Sequence, residues 1–192
     1  VILIFSTAYL PMLGGAELAL KEITDRLSGQ FEFVLYTARY RRAFPAHERM
    51  GAVTVRRLGW GTPFDKYLLP LAAFFAARSE YPAPALVWGM MASFGGIAAR
   101  FFKYLHPDIP FLLTLQEGDP EEYLLRGRWG LMGFWFRAIV RSADRIQVIS
   151  NYLKRVAIKA GSDEKIIDVV PNGVDLTVFG ADHPDARKDV YA

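Results

Sequence analysis

The residues best placed to do chemistry sit in two short glycine-bearing segments. Gly14 and Gly15 separate an apolar run at residues 1–5 from a helical pattern that starts at Ala16 and carries Glu17 in its first turn. Free N–H groups at the start of such a helix point at a ligand and the dipole favours negative charge, so two residues without a Cβ let a phosphate approach the main chain. The same pair also fits a plain glycine turn into a helix. Near the other end, Pro171-Asn172-Gly173 directly follows a strand-like run at residues 166–170. That position is the carboxyl edge of a sheet, where ligands bind in open α/β folds; a structural turn, with Pro fixing φ and Asn-Gly tolerating positive φ, explains the same residues. Neither G-x-G-x-x-G nor G-x-x-x-x-G-K-[ST] is present, so neither a dinucleotide-binding nor a P-loop fingerprint is supported. His47, His106 and His183 show no metal-ligand spacing. With no cysteine in the chain, a disulfide framework, thiolate zinc, an iron–sulfur cluster and cysteine catalysis are excluded together.

The elements that must position these residues alternate along the chain. Continuous apolar or β-branched runs predict strands at 1–5, 31–36, 53–58, 85–88, 111–115, 145–149 and 166–170. Apolar residues at helical spacing predict helices from Ala16 to about Leu27, at 64–78, from a Ser93 cap to about Leu105, at 131–142 and at 152–160. Prolines at 82, 84, 107 and 110 close the units between them. The segment 39–52 reads as an Arg-rich loop and 116–128 as a polar loop without a period. Strand and helix in alternation predict an α/β doubly wound domain, a mostly parallel sheet with helices on both faces. After Pro171 the apolar periodicity collapses, and 181–188 reads as a linker or frayed end.

The composition supports one domain. The chain has 192 residues, 52% hydrophobic and 22% charged, which excludes a disordered, collagen-like or polyelectrolyte chain and lets a single core bury about 70% of the unfolded surface. The 23 Lys and Arg against 20 Asp and Glu leave +3, too thin for a nucleic-acid domain unless the charges cluster. They cluster twice, at Arg39, Arg41, Arg42, Arg49, Arg56 and Arg57, and at Arg126, Arg128, Arg137, Arg141 and Arg145. The second group interleaves with Trp129, Phe134, Trp135 and Phe136, which suits either an interfacial surface or a core-packing helix with arginines on its solvent side. The first group either adds to such a surface or is a solvated loop. Aromatics beside arginine fit an acceptor-facing or membrane-facing surface better than a nucleic-acid one. The longest apolar run, 68–77, contains Pro70 and is half the ~20 residues a membrane span needs. No signal peptide is visible, and Val1 lies inside the first strand, as in a chain trimmed at the front.

Three pieces, in order and spacing, carry a resemblance: residues 5–17 (FSTAYLPMLGGAE), 142–150 (SADRIQVIS) and 169–179 (VVPNGVDLTVF). Together they resemble the amino-terminal half of family 4 retaining glycosyltransferases. The resemblance implies a GT-B architecture, two Rossmann-like domains facing a cleft, the first binding acceptor and the second most of a nucleotide-sugar donor. It implies transfer with retention, no cofactor and no metal requirement. Position by position it makes Gly14 and Gly15 the loop that approaches the donor diphosphate, and Asn172 and Gly173 the turn towards the second domain. Where the family commonly places an imidazole after the strand at 111–115, this chain has Gln116, whose amide can hydrogen-bond a sugar hydroxyl but cannot titrate. Glu117 and Asp119 become candidate contacts to acceptor or sugar hydroxyls, or else a plain acidic loop in which Asp119-Pro120 starts a turn. Ser150 either faces the cleft or caps the helix that follows.

The expected catalytic residues are thus Gln116, Glu117 and Asp119, and the donor-binding residues Gly14, Gly15, Ser150, Asn172 and Gly173. The expected domain is 1–175, with 176–192 a linker or the start of a C-terminal donor-binding domain without which the chain is inactive. The implied partners are a nucleotide-sugar, a sugar or lipid-linked acceptor, that second domain and a membrane surface, and no nucleic acid. The implied location is cytoplasmic, at the inner membrane face. A non-catalytic or peripheral membrane binding module of the same fold is the alternative, and a sugar-nucleotide epimerase a further one.

Overall fold

The computed structural model describes residues 1–127 and 129–173. Eight strands form one sheet in the order β3-β4-β2-β1-β5-β6-β7-β8. They are β1 (Ile2–Ser6), β2 (Phe33–Ala38), β3 (His47–Met50), β4 (Val53–Leu58), β5 (Leu86–Met90), β6 (Phe111–Leu115), β7 (Arg145–Val148) and β8 (Ile167–Val169). All neighbours pair parallel except β3 and β4. The helices are α1 (Gly15–Arg26), α2 (Asp65–Glu80), α3 (Phe94–Leu105), α4 (Glu121–Arg126), α5 (Leu131–Val140) and α6 (Asn151–Lys159). The chain is α/β, doubly wound and mostly parallel, as the alternation of periods predicts.

The two faces of the sheet are covered unequally. Side chains alternate along a strand, so Leu3 and Phe5 of β1 join a core with Phe74 of α2, Phe102 of α3, Phe136 of α5 and Val156 of α6. Ile2 and Ile4 face the other way and meet Ala16 and Leu20 of α1. Burial on both sides is why the central strands read as unbroken apolar runs.

Two expected loops contain structure. The Arg-rich segment holds β3, an antiparallel edge strand of sequence HERM whose residues are half-buried at best. An edge strand with one partner carries no apolar run, so the strand signal is absent. Within that cluster Arg57 is 3% exposed and is no solvated side chain. It donates to the carbonyls of Pro45 at 3.1 Å and Leu10 at 2.5 Å, and pairs with Glu48. The polar segment 116–128 holds α4, six residues long, too short to show a period. Pro120 precedes it, Glu121 and Glu122 complement the dipole, and Leu124 anchors it. The domain boundary expected at 175, the segment 176–192 and Arg128 lie outside the described residues.

The approach of α3 to β1 depends on glycine. A Cβ at Gly95 would stand 2.8 Å from the Phe5 carbonyl oxygen and the Ser6 Cα, and one at Gly96 would stand 2.6 Å from the Met91 carbonyl oxygen. Backbone cannot give way as a side-chain tip can, so Gly95→Val is expected to cost about 2–3 kcal/mol. A thermal melt of the variant at the wild-type midpoint would contradict this close packing.

Candidate functional site

Strand order reverses between β1 and β5, and the segments leaving these two strands enter helices on opposite faces, α1 on one and α3 on the other. In an open parallel sheet a crevice opens beyond the carboxyl ends at such a point. The sequence-derived site residues all follow strand ends on this edge: Gly14 and Gly15 after β1, Gln116, Glu117 and Asp119 after β6, Ser150 after β7, and Asn172 and Gly173 after β8.

Helix starts on this edge differ in who satisfies their N–H groups. At α6, Ser150 is the N-cap and its hydroxyl accepts from Leu153 N at 3.3 Å. At α3, Thr7 from the β1 loop serves instead: its Oγ1 accepts from Gly95 N at 3.1 Å and shares a hydrogen with Ser93 Oγ at 2.8 Å. The α1 start is different. Gly14, its N-cap, supplies no side-chain cap. Gly15 is exposed, and a Cβ built on it would meet nothing within 4 Å. The first-turn N–H groups of a helix have no intrahelical partner, so at α1 they are left open on the Gly15 side, while on the Gly14 side the Glu17 carboxylate folds back, its Oε2 2.5 Å from where a Cβ on Gly14 would stand.

After β6 the residues do three different things. Gln116 Nε2 donates to Asn172 Oδ1 and Asn172 Nδ2 donates to Gln116 Oε1, both at 3.2 Å. This reciprocal amide pair ties the end of β6 to the end of β8 across β7. Beneath it a polar chain crosses the sheet, from Trp88 Nε1 to Thr114 Oγ1 and on to Gln147 Oε1, each 2.9 Å, with Gln147 Nε2 donating to the Val170 carbonyl at 3.3 Å. Glu117 is 7% exposed. Its Oε1 accepts from Ala92 N at 2.5 Å, while Oε2 is buried without a partner. Burial pushes the carboxyl up from 4.5 to about 7, and Asp119 adds repulsion, against the opposing N–H groups of Ala92, Glu117 and Gln116. Asp119 is exposed, and its carbonyl accepts from Tyr152 Oη at 3.4 Å.

The structure brings Gln116 and Asn172 into contact and turns Glu117 inward. It uses Ser150 as a helix cap and leaves Gly14, Gly15, Asp119 and Gly173 exposed. It also adds residues that the pattern of the sequence did not single out. Thr7 accepts from α3 and, through its carbonyl, from Thr37 Oγ1 at 3.1 Å and Ala38 N at 3.4 Å. Met91, at φ 64, makes the left-handed turn that aims Ala92 N at Glu117. A non-glycine residue held there is strained, as is common at sites. The one sequence signal for Thr7 was its place directly after the first strand. Among the described residues no group of three His, Asp or Glu could hold a metal ion, and no helix is long and apolar enough to cross a membrane.

Comparison with known proteins gives this edge its context. The family model for Glycosyltransferase Family 4 matches residues 13–178. No curated protein sequence matches the chain significantly. Among solved structures, sucrose-phosphate synthase from Thermosynechococcus elongatus is similar with a TM-score of 0.71 at 18% identity, over 100% of this chain and 52% of that one. Anabaena HepE, solved with UDP-glucose, gives 0.68 at 15% identity, over 98% and 49%. UDP-N-acetylglucosamine 2-epimerase from Rickettsia bellii gives 0.59 at 10%, over 100% and 48%. The chain thus spans about half the length of each of these structures, and at such identities the likeness is one of fold. The family match covers most of the chain, which belongs to glycosyltransferase family 4 and is built as the N-terminal domain of a GT-B fold.

Proposed function

We propose that the chain is the acceptor-side half of a glycosyltransferase that moves a sugar from a nucleotide-sugar to a sugar or lipid-linked acceptor with retention, without a metal. The observation that carries the reading is the start of α1, uncapped by any side chain and open at Gly15. An anion receptor at the switch point of a parallel sheet suits the diphosphate of a nucleotide-sugar. That HepE was solved with UDP-glucose supports the donor class. In this reading residues 1–175 are the domain, 176–192 lead into a second domain that grips most of the donor, and the chain alone is inactive. Two-substrate transfer needs both reactants held together, and positioning is a large part of the rate gain.

The amides of Gln116 and Asn172 offer a donor and an acceptor to sugar hydroxyls. Asp119 faces the acceptor, and Glu117 holds the Met91–Ala92 turn in place. The setting is the cytoplasmic face of a membrane.

The full-length gene product, incubated with UDP-sugars and a lipid extract, tests the reading. UDP released only when acceptor is present is the expected result. Sugar interconversion without acceptor would make it an epimerase, and donor binding without turnover a binding module.

A further inference from the structure

We infer that α2, together with the turn that precedes it, is a docking surface for an anionic lipid bilayer. This deepens the membrane-face part of the proposed function and does not depend on the transfer chemistry. Phe64, Tyr67, Leu68, Leu71 and Phe75 follow the spacing of one helix face, and their exposures are 74%, 52%, 42%, 60% and 63%. Trp60, in the turn before the helix, is 72% exposed. Soluble domains scatter single apolar side chains over their surfaces, whereas a contiguous stripe marks a contact. From Phe64 to Phe75 the stripe runs about 17 Å along the axis, the shape of a helix that lies in an interface plane.

The charges around the stripe select the occupant. At one end Arg41 and Arg42 are exposed, and a Cβ on Gly61 would stand 2.5 Å from the Arg42 main chain, so this loop abuts the start of α2. At the other end Arg78 is exposed and falls on the same face by its spacing. The acidic residues of the helix turn away. Asp65 is fully buried, and the Glu80 carboxylate pairs with Arg56 at 3.0 Å and accepts from Tyr36 Oη at 3.3 Å. Apolar side chains framed by cations and free of carboxylates fit a surface of anionic headgroups. A second copy on the same face would set these cations against one another.

Both loops that present the contact are held in place. The Asp65 carboxylate accepts from Gly61 N at 2.7 Å, Thr62 N at 3.1 Å and Thr62 Oγ1 at 2.9 Å, and Gly59, at φ +113, gives it room. Arg39 donates to the carbonyls of Phe44 at 2.8 Å and Arg42 at 2.9 Å, which fixes the loop that carries Arg41 and Arg42. Without such anchoring the exposed aromatics would lose ordering entropy on docking.

Flotation of the chain with vesicles of equimolar phosphatidylcholine and phosphatidylglycerol, and with phosphatidylcholine alone, tests the inference. The chain is expected to float with the mixed vesicles and to be released by salt. Leu71→Glu with Phe75→Glu should weaken binding at least about tenfold, and Arg41→Gln or Arg42→Gln about fivefold each. Phe134→Glu, on the exposed side of α5, should bind like wild type. Should the glutamate pair fail to fold by circular dichroism, the arginine variants decide. Absence of flotation, undiminished flotation of the α2 variants, loss confined to Phe134→Glu, or self-association abolished by the α2 variants without lipid binding would each overturn it. UDP binding measured on the same variants should not change, so failure here is distinguishable from failure of the transferase reading.

Discussion

Replacing Glu117 by Gln is expected to flatten the pH dependence of folding stability between about pH 4.5 and 7. In the unfolded chain this carboxyl loses its proton near 4.5, whereas burial in the folded domain holds the proton on to about 7. Between those values the folded state binds one proton more than the unfolded state, so stability falls as pH rises, by about 1.4 kcal/mol per pH unit. The contribution is complete below about 4.5 and gone above about 7, some 3 kcal/mol in all. Gln stays neutral throughout and its amide oxygen still accepts from Ala92 N. Relative to its difference from wild type at pH 4, the variant should therefore gain about 3 kcal/mol at pH 8, roughly 6–12 °C in Tm for a domain of this size. Parallel pH–Tm curves for the two proteins would mean that the folded carboxyl titrates as in solvent. The same substitution bears on the site, because Glu117 fixes the strained Met91–Ala92 turn at the switch point.

The sheet and its edge were legible in the sequence for one reason: strands buried on both faces leave runs such as FLLTL, and the helices between them leave a 3.6-residue period. What carries no such pattern was not legible. The edge strand HERM is half solvated and α4 is shorter than two turns, so neither leaves a signal of its own. At the site, sequence placed Gln116, Glu117 and Asn172 after their strands but not their relations. That Gln116 pairs with Asn172 depends on β7 lying between β6 and β8, and that Glu117 turns inward depends on an N–H supplied by Ala92. Contacts between residues 25 or 56 positions apart are properties of the topology. Likewise the arginines divide only once folded: Arg57 is a buried clamp, whereas Arg41 and Arg42 remain at the surface.

Gly15→Leu separates a glycine kept for the fold from one kept for a ligand. Gly95 belongs to the first kind, since a side chain there would strike the β1 backbone. Gly15 has no such neighbour and no positive φ, so the fold requires glycine there for neither room nor conformation. In the first turn of a helix, a residue with a Cβ narrows the unfolded ensemble and should leave the domain as stable as wild type or up to about 1 kcal/mol more so. The new side chain would nevertheless stand in front of the first-turn N–H groups of α1, the place proposed for the donor diphosphate. Affinity of the full-length gene product for UDP or a UDP-sugar is therefore expected to fall at least about tenfold, the loss of roughly one charge-assisted hydrogen bond. A melt and a titration on the same preparation give both readouts. Destabilisation with parallel loss of binding would make Gly15 a structural glycine, and unchanged affinity would move the diphosphate elsewhere. Gained or equal stability with lost affinity is the outcome that only an anion site at α1 accounts for.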